Sequence, residues 1–456
     1  MIAVAVAAIV SGCGHDASLL DTVPADVMAV GLVDLKKVCS EAGLEFGDKG
    51  VTPSETLAGR LDRQTLNLLD VAAMLDREGV ADMHDVALVA DGAHNAYLTF
   101  FINNFEKFKQ LCGTNVEWTG NRDGYQTANI PALGDCRLIA VKDQVWLTQA
   151  DVKAVRALRE SAKELSVSQL DGLRPALDGA RSEQNIALAV ESEFLSRING
   201  VNQTSEIEPR DKSWLVVGVG DGLNGSLSAR WSEIASDGQP VKAVGMRAVN
   251  PALLAYVPAD YTMAVALGVN GDFNWKPVEQ LALWAGGFQG AAFMSVAAPY
   301  LQSIDGTVLL AGRPREVSTA GDLADWDFIL LAHMPRKKIQ GLMSMVRTML
   351  FTGGITPHVD ERTGIMSFPQ YGGMFYMGEV DGCLGIATRP FDNTLNNPLA
   401  PAFVNKDLAL SVDLGVFMPY LAGLTLDASM TDDSGQANIK VADGSAMTVI
   451  SRLLSF

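Results

Sequence analysis

The sequence predicts an α+β protein made of two tandem copies of one domain, each a mainly antiparallel sheet with helices packed on one face. Three observations carry this expectation. Several segments recur in the same order in the two halves of the chain. Short aliphatic runs are separated by Asp-Gly, Gly-Asn or Lys-Asp turns, the pattern of successive hairpins. Stretches such as 54–77 carry apolar residues at helical spacing, with charged residues between them. With 456 residues, 48% of them hydrophobic, the chain has material for more than one core.

The elements follow from the N-terminus. Ile2 to Val10 (IAVAVAAIV) is apolar and uncharged, but nine residues fall short of the roughly 20 that span a bilayer. The run leads into Val10-Ser11-Gly12-Cys13, a short apolar segment ending in small residues, as in a secretory signal peptide. Here the small residues run directly into a cysteine, a pattern that resembles the lipobox of bacterial lipoproteins; the resemblance implies that residues 1–19 are signal peptide, lipobox and short spacer, with Cys13 the lipidated residue. Two acyl chains on Cys13 would anchor the chain stably, where one would not. No Lys or Arg precedes the apolar run, which points to a true start upstream of Met1.

The first copy is expected over 20–250 and the second over 251–456. Val23-Pro24-Ala25-Asp26 precedes the strand-like Met28–Val33, and Val257-Pro258-Ala259-Asp260 precedes Met263–Val269. The proline keeps its preceding residue extended, which suits the entry to a strand. In the first copy a helix is expected over 54–77, then strands over 85–91 and 95–102, and a helix near 104–112. Helix 151–164 (DVKAVRALRESAKE) follows, with Asp151 as its N-cap. Three further matches keep the order of the repeat. AYLTFFINNFEKFKQL (96–111) aligns with DFILLAHMPRKKIQGL (327–342), VKDQVWLT (141–148) with VDGCLGIA (380–387), and NIALAVESEFLSRI (185–198) with DLALSVDLGVFMPY (407–420).

One stretch imitates a different fold. VVGVGDGLNGSLSAR (216–230) contains Gly220, Gly222 and Gly225 in the G-x-G-x-x-G spacing of dinucleotide-binding proteins. That fingerprint requires a helix to begin at the third glycine and receive the pyrophosphate. Instead Leu227, Ala229 and Trp231 alternate with Ser226, Ser228 and Arg230, which is strand period. A hairpin is expected, matched by 427–443 in the second copy, and no nucleotide.

Other motifs exclude more than they assign. The 53 Asp+Glu against 35 Lys+Arg leave a net charge of −18, which disfavours nucleic acid. Pro335-Arg336-Lys337-Lys338 is short, lacks aromatic neighbours, and reads as the start of a solvated helix. G-x-S-x-G, S-x-x-K, H-E-x-x-H and phosphate-loop patterns are absent. His15, His84, His94, His333 and His358 are scattered; His358 with Asp360 and Glu361 reads as a solvated loop, and His94 as part of a hairpin turn. Asp221 and Asn224 lack the spacing of a calcium loop. Cys39, Cys112, Cys136 and Cys383 lack zinc spacing; an oxidising compartment permits a Cys112–Cys136 disulfide, with small buried residues the simpler reading. LALWAGGFQGAAFMSVAAPY (281–300), with Gly286 and Gly290, reads as a buried or interfacial helix rather than a span.

The VSGC lipobox, the polar spacer and the stretch Val23 to Lys37, with the second V-P-A-D at 257–260, resemble a family of uncharacterised Bacteroidetes envelope lipoproteins with a duplicated domain of unknown function. The resemblance implies an outer-membrane lipoprotein of the bacterial cell envelope and supplies no catalytic residues. The resulting expectation is a non-enzymatic binding or scaffolding module, with the membrane as partner through its lipid and an envelope protein as a further partner. No catalytic, cofactor-binding or metal residues are assigned. The alternative is an envelope hydrolase acting on glycans or peptides through carboxylates in an inter-domain cleft.

Overall fold

The computed structural model describes residues 18–441 apart from 42, 48–49, 54–62, 199–211, 222–225, 277–297, 316–325, 371–372, 394–396, 398 and 417–420. The described residues fall into two compact units, one within Met1–Val241 and one within Lys242–Asp443. Residues 242–250 go with the second unit because Ala243, Arg247 and Val249 donate backbone hydrogen bonds to Asp432, Gly268 and Lys406.

The first unit holds strands β1 (Ala29–Val33), β2 (Leu44–Gly47), β3 (Gly50–Pro53), β4 (Val86–Ala90), β5 (Ala96–Phe101), β6 (Glu117–Arg122), β7 (Tyr125–Asn129), β8 (Arg137–Val141), β9 (Gln144–Thr148), β10 (Ile186–Glu191), β11 (Ser213–Asp221) and β12 (Leu227–Ala235). Its helices are α1 (Leu35–Glu41), α2 (Arg63–Arg77), α3 (Phe105–Cys112), α4 (Val152–Glu164), α5 (Leu173–Glu183) and α6 (Ser192–Ile198). Apart from the β2–β3 hairpin, the strands pair antiparallel in the order β12-β11-β10-β1-β4-β5-β9-β8-β7-β6. Local chemistry agrees with these boundaries. Asn104 and Asp151 cap α3 and α4 through hydrogen bonds from the Lys107 and Ala154 N–H groups. Asp123 and Gly124, at φ 54° and 80°, make the tight β6–β7 turn, a geometry that Gly and Asp tolerate. The expected strands at 85–91 and 95–102 and helices near 104–112 and at 151–164 are present within a residue or so, while 54–62 lies outside the described residues.

Two cores lie against opposite faces of this sheet. On one face Val30, Leu32, Val89, Tyr97 and Trp146 pack against Leu19, Leu20 and the apolar sides of α4 and α5, with Val155, Leu173 and Leu177 fully buried. On the other face Val33, Val86, Leu138 and Val145 pack against Leu75 of α2 and Phe108 of α3. Helices therefore cover both faces, a correction to the expectation that they gather on one. The reason is in β1 and β4, AVGLV and VALVA, which alternate between two apolar faces and so require cover on each.

The second unit holds β13 (Met263–Val269), β14 (Gly306–Pro314), β15 (Trp326–His333), β16 (His358–Val359), β17 (Met366–Gln370), β18 (Gly373–Val380), β19 (Cys383–Ala387), β20 (Leu408–Asp413), β21 (Leu424–Met430) and β22 (Ser434–Val441), with helix α7 (Arg336–Thr352). The antiparallel order is β22-β21-β20-β13-β14-β15-β19-β18-β17-β16. One core joins Leu253, Leu254 and Phe403 to Ala264, Leu309 and Leu331; the other joins Ile339 and Leu350 of α7 to Ala332, Met377 and Leu384. Each unit is thus mixed α+β, with its main strands paired antiparallel.

Candidate functional site

A concavity lies on the first sheet. β10, β1, β4, β5 and β9 run side by side, and their registers align Leu188, Gly31, Leu88, Leu98 and Leu147 in one row. Side chains of one strand face alternate sides, so this row lies opposite Val30, Val89, Tyr97 and Trp146, on the face shared with α2 and α3. The second core covers that face around Val33, Val86 and Phe100. Beside it opens a groove of about 580 Å³, lined chiefly by Leu88, Leu98, Leu147, Leu188 and alanines, with His94, Asn95, Cys136 and Gln149 among its polar members. Leu88 keeps 39% of its surface exposed.

Gly31 lies beneath Leu188 and Leu88. A Cβ there would stand 3.1 Å from the Ala187 carbonyl oxygen, 3.3 Å from Leu188 Cδ1 and 3.7 Å from Leu88 Cβ. Leu188 and the Ala187 carbonyl thus already occupy the space that a side chain would need, and glycine lets them close over β1. The nearest carboxylate is turned away from ligand chemistry. Asp91 Oδ1 accepts the Ala93 and Asn95 N–H groups at 2.9 Å, and Oδ2 accepts the Asn95 amide and the Tyr97 hydroxyl at 2.9 and 2.6 Å. Burial raises the Asp91 carboxyl, but these hydrogen bonds outweigh it and hold the group below its ordinary value. Burial and the Asp91 charge together push the Tyr97 phenol upward, so it stays protonated and donates. His94, at φ 63°, occupies the turn itself, as the D-G-A-H-N spelling predicts.

The second unit has a charged cluster instead. Asp327 lies 3.1 Å from Arg315 and 2.9 Å from Arg389; Asp260, from the second V-P-A-D, lies 3.0 Å from Arg313 and 3.3 Å from Arg389. Arg389 also stacks over Tyr261 at 5.4 Å. Burial opposes ionisation of Asp327, but hydrogen bonds and charge from Arg315 and Arg389 outweigh it and lower its pKa. These ion pairs tie the V-P-A-D loop to β14 and β15, although Arg313 Nε is buried without a hydrogen-bond partner among the described residues. A smaller pocket of about 290 Å³ holds Asp305, His333, Arg336 and Glu379. There His333 Nδ1 donates to the Asp305 carbonyl at 2.5 Å, and Arg336 pairs with Glu379 at 3.0 Å.

The remaining sequence candidates are dispersed. Cys13 and His15, Gly222, Asn224 and Gly225, and most of 281–300 (Gly286 and Gly290 included) lie outside the described residues. Residues 227–235, where a dinucleotide fold needs a helix, form a strand paired along its length with β11. His84 sits 2.9 Å from Asp34 at an exposed site. His358 lies on short β16 while Asp360 begins the next turn, its Oδ1 accepting the Arg362 and Thr363 N–H groups. Helix α7 begins at Arg336, inside the Pro335–Lys338 cluster. Cys39, Cys112, Cys136 and Cys383 carry free thiols, so no Cys112–Cys136 disulfide is present. Burial pushes the Cys39, Cys112 and Cys383 thiols up to about 11, 12 and 11. Among the described residues no group of three or more His, Cys, Asp or Glu is placed to hold a metal ion, and no helix is long and apolar enough to cross a membrane.

Comparison with protein-family models, curated proteins and solved structures finds no match to this chain. The groove was not anticipated from sequence. Its signal was present in AVGLV and VALVA, where a strand with one solvated face would alternate with polar residues.

Proposed function

We propose that this chain is a non-enzymatic lipid-binding module of the bacterial cell envelope, anchored through an acylated Cys13 and built from two tandem copies of one domain. One observation carries the binding role: the groove on the first sheet is aliphatic along its row, opens on Leu88, and has no Asp, Glu, Lys or Arg among its described lining residues. A volume of about 580 Å³ falls within the range of small-ligand sites. The occupant that suits it is a hydrocarbon chain, because β10, β1, β4, β5 and β9 each have strand neighbours on both sides. A peptide laid there would find no unpaired backbone groups to satisfy its own.

Matching strand orders support the duplication. The paired segments 96–111 and 327–342 each run through a strand into a helix, β5 to α3 and β15 to α7. Segments 141–148 and 380–387 each cross a hairpin whose turn holds a left-handed residue, Lys142 at φ 54° and Asp381 at φ 48°. Each V-P-A-D follows a short 3-10 helix with a buried Leu-Leu pair, Leu19-Leu20 and Leu253-Leu254. The envelope location rests on the VSGC lipobox and on the resemblance to the Bacteroidetes lipoproteins.

The test uses Cys136, which lines the groove and is the least buried of the described thiols. Saturating neutral monoacylglycerol slows alkylation of Cys136 and leaves the slow alkylation of Cys39, Cys112 and Cys383 unchanged. Unprotected Cys136, together with no heat of binding by calorimetry, would overturn the reading. Anchoring is tested separately: Cys13→Ala in a full-length chain moves the protein out of the membrane fraction. The hydrolase reading keeps one observation, the Asp407 carboxyl, raised by burial and by the nearby Asp432 and Asp433. Release of reducing sugar or new amines from envelope glycans or peptides, lost in Asp407→Asn, would favour it.

A further inference from the structure

We infer that the smaller pocket of the second unit, at the start of α7, binds one sugar-like ring: a small uncharged molecule whose hydroxyl groups both donate and accept hydrogen bonds. This site is independent of the groove on the first unit. His333 carries the inference. It ends β15, is exposed, and is held in one orientation by the segment that enters β14. Its carbonyl accepts the Asp305 N–H at 3.1 Å, and its ring Nδ1 donates to the Asp305 carbonyl at 2.5 Å. Gly306, at φ 139°, makes room for the ring, since a Cβ there would stand 2.8 Å from His333 Cβ and Cγ. With the Nδ1 proton engaged, the neutral ring keeps Nε2 as an acceptor. Nε2 has no hydrogen-bond partner among the described residues. Gly382, in the β18–β19 turn, leaves it uncovered; a Cβ there would stand 3.7 Å away. An exposed ring fixed from two sides is preorganised to receive a donor.

The groups around Nε2 set the ligand's chemistry. Arg336 supplies a guanidinium that donates, and Asp305 and Glu379 supply carboxylates that accept. Each acid already faces a guanidinium, Glu379 at 3.0 Å from Arg336 and Asp305 at 3.0 Å from Arg247. Each pair engages one carboxylate oxygen and leaves the other without a hydrogen bond among the described residues. A metal ion meets the Arg336 charge and, among the described residues, no set of three ligands. A phosphate meets both carboxylates. A hydroxyl group suits every member, donating to Nε2 or a carboxylate oxygen and accepting from Arg336, and a ring carrying several hydroxyls does so at once. Met334 and Pro335 add an apolar wall for its C–H groups. A volume of about 290 Å³ lies at the lower end of small-ligand sites, room for one ring and not for a chain of them.

Methyl glucoside is the probe. Long-range proton–nitrogen NMR spectra of the full, isotope-labelled chain at mildly alkaline pH read both ring nitrogens of His333, assigned by the loss of its signals in His333→Asn. The proton is expected on Nδ1. Titration with methyl glucoside is expected to move the Nε2 resonance and to saturate with a Kd on the order of 1 mM. His333→Asn keeps a donor for the Asp305 carbonyl and removes the acceptor, so it weakens binding about three- to tenfold by calorimetry, the worth of one hydrogen bond. His333→Gln gives the assignment if that variant unfolds, and the two NMR readouts are taken on the parent chain. A proton on Nε2, an Nε2 resonance that methyl glucoside does not move, or an unchanged affinity in His333→Asn overturns the site. So does a shift produced by zinc or inorganic phosphate in place of methyl glucoside.

Discussion

Replacing Gly31 by valine forces a side chain into the space that Leu188 occupies over β1. A Cβ at this position meets the Ala187 carbonyl oxygen at 3.1 Å and Leu188 Cδ1 at 3.3 Å, so its neighbours must yield by a few tenths of an ångström. Overpacking of this kind costs about 1–3 kcal/mol. Removing a glycine from a strand interior returns roughly 0.5–1 kcal/mol of that. The net loss, about 1–2 kcal/mol, lowers the melting temperature by roughly 3–6 °C and leaves the sheet folded. Affinity falls further. A fully buried methylene contributes about 0.8 kcal/mol, and a groove that covers one side of the chain about half of that. Leu188 and Leu88, pushed outward by the new side chain, lift the ligand over one strand spacing, about 5 Å. Roughly four methylenes lifted from the floor then lose about 1.6 kcal/mol, more than tenfold in Kd. Calorimetry with neutral monoacylglycerol, paired with thermal unfolding, reads both effects. A Gly31→Val protein that melts as expected but binds with unchanged affinity would falsify the reasoning, because the ligand would not lie over β1.

Three further outcomes are expected. Lengthening the acyl chain of a neutral monoacylglycerol tightens binding about twofold per methylene until the row is filled, then no further; an affinity independent of length places the ligand elsewhere. Asp327→Asn weakens the second unit by about 2 kcal/mol at pH 7, since it removes charge-assisted hydrogen bonds from Arg315 and Arg389. The folded pKa of Asp327 is depressed, so this stability is present above the unfolded value near 4 and is lost as pH falls below it. Urea midpoints of parent and variant should therefore converge toward pH 3, and an equal gap at pH 3 and pH 7 contradicts the assignment. Leu177→Ala empties a fully buried site between α5 and the first sheet and costs about 2–5 kcal/mol in urea unfolding. A loss below 1 kcal/mol would mean that α5 does not close that core.

Much of the architecture was legible in the sequence where the signal is local. Asp151 caps α4 as its position before DVKAVRALRESAKE predicts, and the alternation of Leu227, Ala229 and Trp231 announces β12 despite the glycine fingerprint beside it. Helix α5 (LRPALDGARSE) was not anticipated, because Pro175 and Gly179 interrupt the pattern. Pro175 is tolerated near the start of the helix, where the first-turn N–H groups have no partner within the helix in any case. Helices on both faces were missed for a different reason. Periodicity assigns each residue a side but does not say which element will cover that side.

By itself, the sequence determined the strands at 85–91 and 95–102, helices α3 and α4, and the strand rather than helix that follows the glycine fingerprint. Each depends on interactions between residues a few positions apart: caps, turn dihedrals and side-chain alternation. Only the tertiary structure decided that Leu188, Gly31, Leu88, Leu98 and Leu147 form one row, and that Asp260, Asp327 and three arginines form one cluster. These groupings join residues more than 100 positions apart. They are set by cross-strand register, which follows from how the whole sheet buries its apolar faces and not from any segment alone.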